Sequence, residues 1–525
     1  MSDSRTEVLV TLGELAGELV DQSGPSGEFV YIDISSVDRE KKTISGSKSL
    51  TLEQAPSRAK QVLKTGDVLV SMTRPNLNAV ALVTEHLDGA IGSTGFHVLR
   101  SCWLKPAYLF ALVQTNDFID AMTEVVQGAL YPAVRPRDIS SYSFSFETPA
   151  HQTRIVAKLE ELLSDLDAGV AELKAAQKKL AQYRQSLLKA AVEGTLTADW
   201  RTKNTPTELG VQLLQRILNE RRARWEANQL AKFEEQGKNP PKEWQKKYPE
   251  PVQPDTTNLS ALPDGWVWAS VDMLSPDDLA NGRSVPTAEV GAKVLRLTAV
   301  KDGAIDLREC KVGDWTKEDA KQFAVVDGDL LIVRGNGSLH LVGRAGLVEN
   351  VTDQVAYPDT MIRLRVVDAV VSSSWIGLVW NSRCVRTHLE RRARTSAGIY
   401  KIAQPDIVSA PIPVPSLSEQ VHAREIFKQQ MEQISAMQTT LDVGLKQATA
   451  QRQNILRAAF SGQLVPQDPS YEPASELLSR IRAGRTERVA VKKPRGRQAH
   501  GHCEQSLKVQ PLQSGVASPI SEFEL

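Results

Sequence analysis

The sequence predicts an α+β protein: two mixed α/β domains in a pseudo-twofold repeat, joined by two long helices forming an antiparallel coiled coil. Three observations predict it. Residues 152–196 align without a gap on residues 420–464, and eleven of the 45 pairs are identical; composition alone gives about three. In the first copy Leu159, Leu166, Leu173, Leu180 and Leu187 recur every seven residues, the spacing of a coiled-coil seam. Ahead of each copy lie short apolar or alternating runs bounded by Gly, Pro and Asn, which read as strands.

In chain order, residues 1–150 form the first mixed domain. Residues 29–35 (FVYIDIS), 67–72 and 95–99 are its strands, and 106–126 a helix. Residues 151–200 are the first long helix. A charged connector follows at 201–258: a helix with Leu213, Leu214, Ile217 and Leu218 as its apolar stripe, then a linker ending in the Pro-rich stretch 249–254. Residues 259–415 form the second mixed domain, with strands at 293–300, 329–333, 343–348 and 360–366 and a helix at 372–394. Residues 416–466 are the second long helix, with Phe427, Ile434, Leu441 and Ile455 on its seam. Small residues such as Gly444 and Ala458 let the paired backbones approach. Residues 467–525 hold a short helix at 474–483 and a basic tail, in which eight Lys or Arg stand against one Glu between Arg480 and Arg497; this composition predicts disorder. The repeat reaches beyond the helices. Residues 66–70 (GDVLV) match 328–332 (GDLLI), and residues 213–217 match 477–481.

Composition narrows the function classes. Lys plus Arg is 63 and Asp plus Glu is 63, so no global basic field points to nucleic acid. Apolar residues at 41% and charged residues at 24% fit a globular protein without a membrane span. The first eleven residues lack the zones of a secretory signal, so a cytoplasmic location is expected. Cys102, Cys310, Cys384 and Cys503 are too scattered for a Cys-x-x-Cys metal half-site, and His500-Gly501-His502-Cys503 reads as solvated tail. No phosphate-binding G-x-x-x-x-G-K-[ST] run occurs. Asn239-Pro240-Pro241-Lys242 lacks the aromatic fourth residue that would stack on a flipped base, and Asp319-Ala320-Lys321 reads as a surface charge cluster. The expectation is a chain with no catalytic residues and no metal site.

The order and duplication of several motifs carry a family resemblance. They are residues 31–35 (YIDIS), 55–59 (APSRA), 66–78 (GDVLVSMTRPNLN), 93–96 (STGF) and 189–201 (KAAVEGTLTADWR) in the first half. In the second they are 262–266 (LPDGW), 328–337 (GDLLIVRGNG) and 412–420 (IPVPSLSEQ). The chain resembles the specificity subunit of type I restriction-modification enzymes over about residues 6–485. It departs at Thr148-Pro149-Ala150-His151-Gln152, where the first half lacks the proline-flanked form, and beyond Arg485. The resemblance implies two target recognition domains, each reading one half of a split double-stranded DNA target, with the helices as scaffold. It implies two modification subunits that bring S-adenosylmethionine and methylate adenine by base flipping, and restriction subunits that use ATP and Mg to translocate and cleave.

The charge census limits where DNA could be held. Residues 1–150 carry 13 Lys or Arg against 18 Asp or Glu, and residues 259–415 carry 18 against 19, so contact must come from local clusters. Candidate readers follow the Gly-Asp strands: Arg74, Asn76 and Asn78 in one domain, Arg334, Asn336, Ser338 and His340 in the other. Arg and Asn can bond guanine and adenine edges in bidentate fashion, although Asn also suits ordinary turns. Arg391, Arg392 and Arg394, followed by Tyr400 and Lys401, form a candidate phosphate cluster, or else a solvated helix end. The competing reading is a coiled-coil scaffold whose two domains bind protein instead of DNA.

Overall fold

In the computed structural model the long helices run Pro149–Val192 and Leu417–Phe460, 44 residues each, and their first residues stand 268 positions apart. The structure describes residues 8–126, 132–257, 259–275, 279–366, 371–396, 398–468 and 470–491. Asn258 and the tail with His500, His502 and Cys503 lie outside them.

The equal lengths follow from matched start and stop signals. At the starts, Gln152 Oε1 accepts from Lys105 N at 2.8 Å, while Nε2 donates to Glu147 O at 2.8 Å. Gln420 repeats this on Ser372 N and Pro415 O. At the ends, Gly194 and Gly462 adopt φ of +71° and +73°, and the amides of Leu196 and Leu464 close on Ala190 O and Ala458 O. A left-handed glycine with a six-residue closure is a helix stop.

Two compact units result: residues 1–164 with 451–525, and residues 165–450. Each contains one α/β domain, the start of one long helix and the end of the other. In the second unit the helices are antiparallel. Gln177 Nε2 donates to Asp442 Oδ1 at 2.7 Å, Tyr183 OH to Gln430 Oε1 at 3.0 Å, and Leu173 packs over Gly444. Leu187 and Ile434 are buried there, whereas Leu166, Leu173, Leu180, Phe427 and Leu441 are half-buried, because a two-helix pair covers only one stripe of each helix. In the first unit Leu159 and Ile455 are buried. Tyr183 and Met437, three residues after the seam positions Leu180 and Ile434, are largely exposed, and only the Tyr183 hydroxyl reaches across to Gln430. The drift between 3.6 and 3.5 residues per turn rotates them away.

In each α/β domain the strand after Gly-Asp is central and fully buried. Val68–Ser71 lies between Phe96–Leu99 and Val80–Leu82; Leu330–Val333 lies between Met361–Leu364 and Ala345–Leu347. The glycines adopt φ of +88° and +89°, which an L side chain resists. The aspartates are buried and do two jobs. Asp67 accepts from Lys64 N and from Arg100, whose Nε and Nη2 lie 2.7 and 2.6 Å from its two oxygens. Asp329 accepts from Val326 N and from Arg365 at 2.6 and 2.9 Å. The Gly-Asp motif is therefore a turn and an ion pair that pins neighbouring strands.

Five sequence readings need correction here. The segments read as single helices each hold two: Pro106–Leu112 and Asn116–Glu124, then Ser373–Trp380 and Arg383–Arg392. Thr115 interrupts the first by capping Phe118 N with its side chain. The strand read at 293–300 runs Thr287–Leu295 and ends in a turn at Leu297–Ala299. The terminal helix extends over Ala474–Val491. The supposed linker after Gly210–Glu235 folds back on that helix, where Trp225 stacks on Trp244 and meets the edge of Tyr248. Arg221 and Val252 N then both bond Asp272 of the second domain; three aromatic rings bury enough apolar surface to fix a segment whose charges suggested solvent. Among the described residues no helix is long and apolar enough to cross a membrane.

Candidate nucleic-acid interface

In the second unit the central strand delivers its reading candidates to a small surface sheet. The chain leaves Val333 through Arg334, and Gly335–Asn336 pairs with Ile399–Lys401, which pairs in turn with Arg394–Ser396. Asn336 stands opposite Tyr400, and Arg394 opposite Lys401. Candidates from two distant segments thus share one small sheet, with Asn336 and Tyr400 on one of its faces and Arg394 and Lys401 on the other. Arg394 and Lys401 are exposed, and like charges directly opposite on neighbouring strands repel. An anion seated between them would relieve that repulsion. Arg391, at the end of Arg383–Arg392, adds an exposed cation nearby in sequence.

The individual side chains differ in how far they are already engaged. Arg334 is half-buried; its amide donates to Thr360 O at 2.8 Å. Asn336 Oδ1 accepts from Ser338 N at 3.0 Å, so the turn reading holds for that atom, and Ser338 serves the same turn. His340 is exposed, and its carbonyl accepts from Arg344 Nε at 3.1 Å and Arg386 Nη2 at 3.2 Å. Arg392 departs from expectation: Nη1 donates to His388 O at 3.4 Å and lies 3.2 Å from His388 Nδ1. It closes its own helix end. Burial, with Arg392 alongside, lowers the His388 pKa, which favours the neutral imidazole that can accept this contact.

In the first unit Arg74 and Asn76 are exposed on the turn around Pro75–Leu77, and Arg74 N donates to Pro132 O at 2.8 Å. Asn78 is not a reader. It is buried at φ +43°, Nδ2 donates to Val113 O at 2.8 Å, and Lys42 Nζ bonds its Oδ1 at 2.9 Å and its carbonyl at 2.5 Å. Asn tolerates this backbone region better than most residues, which explains its presence. Lys42 was missed by the sequence reading, since nothing local links it to a loop 36 residues away. Burial, with Arg452 and Arg39 alongside, pushes its pKa down to about 8. Among the described residues no group of three His, Cys, Asp or Glu side chains could hold a metal ion.

Comparison with known proteins places this architecture. No family model matches the chain. It is 25% identical over 392 residues to the type I restriction enzyme EcoKI specificity subunit of Escherichia coli strain K12, covering 72% of this chain and 71% of that one. It is 25% identical over 392 residues to the StySPI specificity subunit of Salmonella potsdam, covering 73% and 72%. A solved chain from work on complex assembly and conformational transition of the type I R-M system superposes with a TM-score of 0.62 at 24% identity, over 87% of this chain and 98% of that one. The structural likeness shows the fold; the sequence likeness upholds the resemblance to type I specificity subunits read from the motifs.

Proposed function

We infer that this chain is the DNA sequence-recognition subunit of a type I restriction-modification complex, reading an asymmetric bipartite target with one α/β domain per half-site. The observation that carries the reading is the surface sheet of the second unit. There one three-stranded sheet carries Asn336, with Arg334 at its entry, and from its other face the opposed cations Arg394 and Lys401, so one small element joins base-reading chemistry to phosphate-binding chemistry. The first unit offers Arg74 and Asn76 at the matching loop. The domains differ in sequence while their scaffold repeats, so the two half-sites differ. The chain catalyses nothing itself. Two modification subunits supply S-adenosylmethionine and methyl transfer, restriction subunits supply ATP- and Mg-dependent translocation and cleavage, and the assembly works on cytoplasmic DNA.

Competition binding by the assembled complex tests this. The wild type should select one bipartite sequence at moderate salt; a protein scaffold would show no such selection. Changing Arg334 or Asn336 to Ala should relax one half-site only, by about 1 to 3 kcal/mol for each bidentate base interaction removed. Changing Arg394 and Lys401 to Ala should weaken binding across sequences, lowering the salt slope by about 0.9 for each phosphate left without its cation. Equal loss of selectivity at both half-sites would instead assign Arg334 and Asn336 a structural role.

A further inference from the structure

Each loop that leaves a Gly-Asp strand is gripped near its exit by a cation from elsewhere in its unit. In the first unit the loop spans residues 72–79, and Lys42 reaches Asn78 from the turn between Val37–Asp38 and Thr43–Ile44. In the second the loop spans residues 334–344 and is longer. Arg386 and Arg344 both donate to its His340 carbonyl, and Trp380 Nε1 donates to Gly343 O at 2.9 Å. Asn78 and Gly343 occupy matching places: each lies two residues before the next strand, at φ of +43° and +72°.

The grip is costly in the second unit. The Arg386 side chain is 12% exposed and paired with Glu390 at 2.9 Å, while its buried Nη1 has no hydrogen-bond partner among the described residues. An apolar side chain would fill that space without a buried charge. What the guanidinium adds is a charge-assisted bond that fixes the peptide plane at His340, next to Ser338 and Asn336. Base readers must be held to within about 0.5 Å to discriminate. We propose that Lys42 and Arg386 are positioning residues for the two recognition loops, each setting how selectively its own unit reads its half-site. The proposal rests on the function inferred above.

Lys42→Met and Arg386→Gln, made in the full complex, separate the two roles when oligonucleotides are degenerate at one half-site at a time. Lys42→Met should lose selectivity about tenfold at the first unit's half-site, and Arg386→Gln about tenfold at the second unit's, each sparing the other. Arg386→Lys should restore most of the loss. If Arg386→Gln does not fold, Arg344→Gln, an exposed residue on the same carbonyl, gives the same readout.

A pH series adds an independent arm. Arg452 on the second long helix and Arg39 on its own hairpin are the charged groups facing Lys42, whose pKa is lowered from 10.5 to about 8. Between those values the unfolded state binds more protons, so the Lys42 contribution to stability increases with pH. Selectivity at the first half-site should nevertheless fall, relative to the second, as pH rises through about 8 and the clamp loses its charge. Variants that affect both half-sites alike, or neither, overturn the proposal while the wild type remains selective. A wild type without selectivity overturns the inferred function and the clamp with it.

Discussion

Replacing Glu419 with Ala should lower the stability of the second unit by about 3 to 5 kcal/mol, the usual cost of removing one partner of a buried ion pair. The carboxylate is 2% exposed. It accepts from Thr197 Oγ1 at 2.6 Å, Arg201 Nε at 3.0 Å and Trp266 Nε1 at 2.9 Å. Arg201 also lies over the Trp266 ring, 5.4 Å from its centroid. Glu419 itself stands at the start of the second long helix, and its donors come from the short helix that follows the first, Ala198–Lys203 with its cap Thr197, and from the segment entering the second domain. One side chain therefore ties three distant segments together. In the Glu419→Ala variant all three donors lose their acceptor at once, and calorimetry should show a fall in Tm of about 10 °C. Glu419→Gln keeps an acceptor oxygen and should lose less. A fall of under about 2 °C for the Ala variant would mean that water replaces the carboxylate and that the hub contributes little.

The same hub explains which parts of the protein were legible in the sequence. Three of the motifs carrying the family resemblance, residues 189–201, 262–266 and 412–420, converge on Glu419. Thr197, Arg201, Trp266 and Glu419 thereby give these motifs a structural use at the joint between helix and domain. The departure at Thr148-Pro149-Ala150-His151-Gln152 fits as well. His151 replaces Glu419 at the repeat offset; its Nε2 lies 3.9 Å from Glu147 Oε2, to which Gln467 Nε2 also donates at 3.3 Å. The first unit builds its joint from a different buried polar set.

The two long helices were legible from the heptads and the repeat, but the readings 151–200 and 416–466 overran their ends, since the left-handed Gly194 and Gly462 stop them at Val192 and Phe460; strand centres were legible because burial imposes apolar runs. The reading surface was legible only in part. Asn336 and Tyr400 meet through a strand pairing that no local pattern encodes, and Asn78 looked available only because its partners, Lys42 and Val113, are set by the fold, whereas Arg392 takes His388, four residues back on its own helix. The docked segment after Gly210–Glu235 was misread for a related reason. Charge dominated its composition, while Trp225, Trp244 and Tyr248 decided its structure.

The Gly-Asp motif yields the second large effect, because its two copies differ in solvent access. Asp67 is 1% exposed and Arg100 14%, so Asp67→Ala leaves a guanidinium largely cut off from water. Its expected cost is about 3 to 5 kcal/mol. Asp329 is equally buried, but Arg365 is 39% exposed and can rehydrate, so solvent screening should make Asp329→Ala the milder change. Hydrogen exchange distinguishes the two. Asp67→Ala should speed exchange of the Val68–Ser71 amides well beyond the effect of Asp329→Ala on Leu330–Val333. Because Val68–Ser71 leads directly into Arg74 and Asn76, the same variant should also relax the half-site read by the first unit and spare the other. Equal protection losses in the two variants would show that the backbone turn held by each carboxylate, through Lys64 N and Val326 N, matters more than the ion pair.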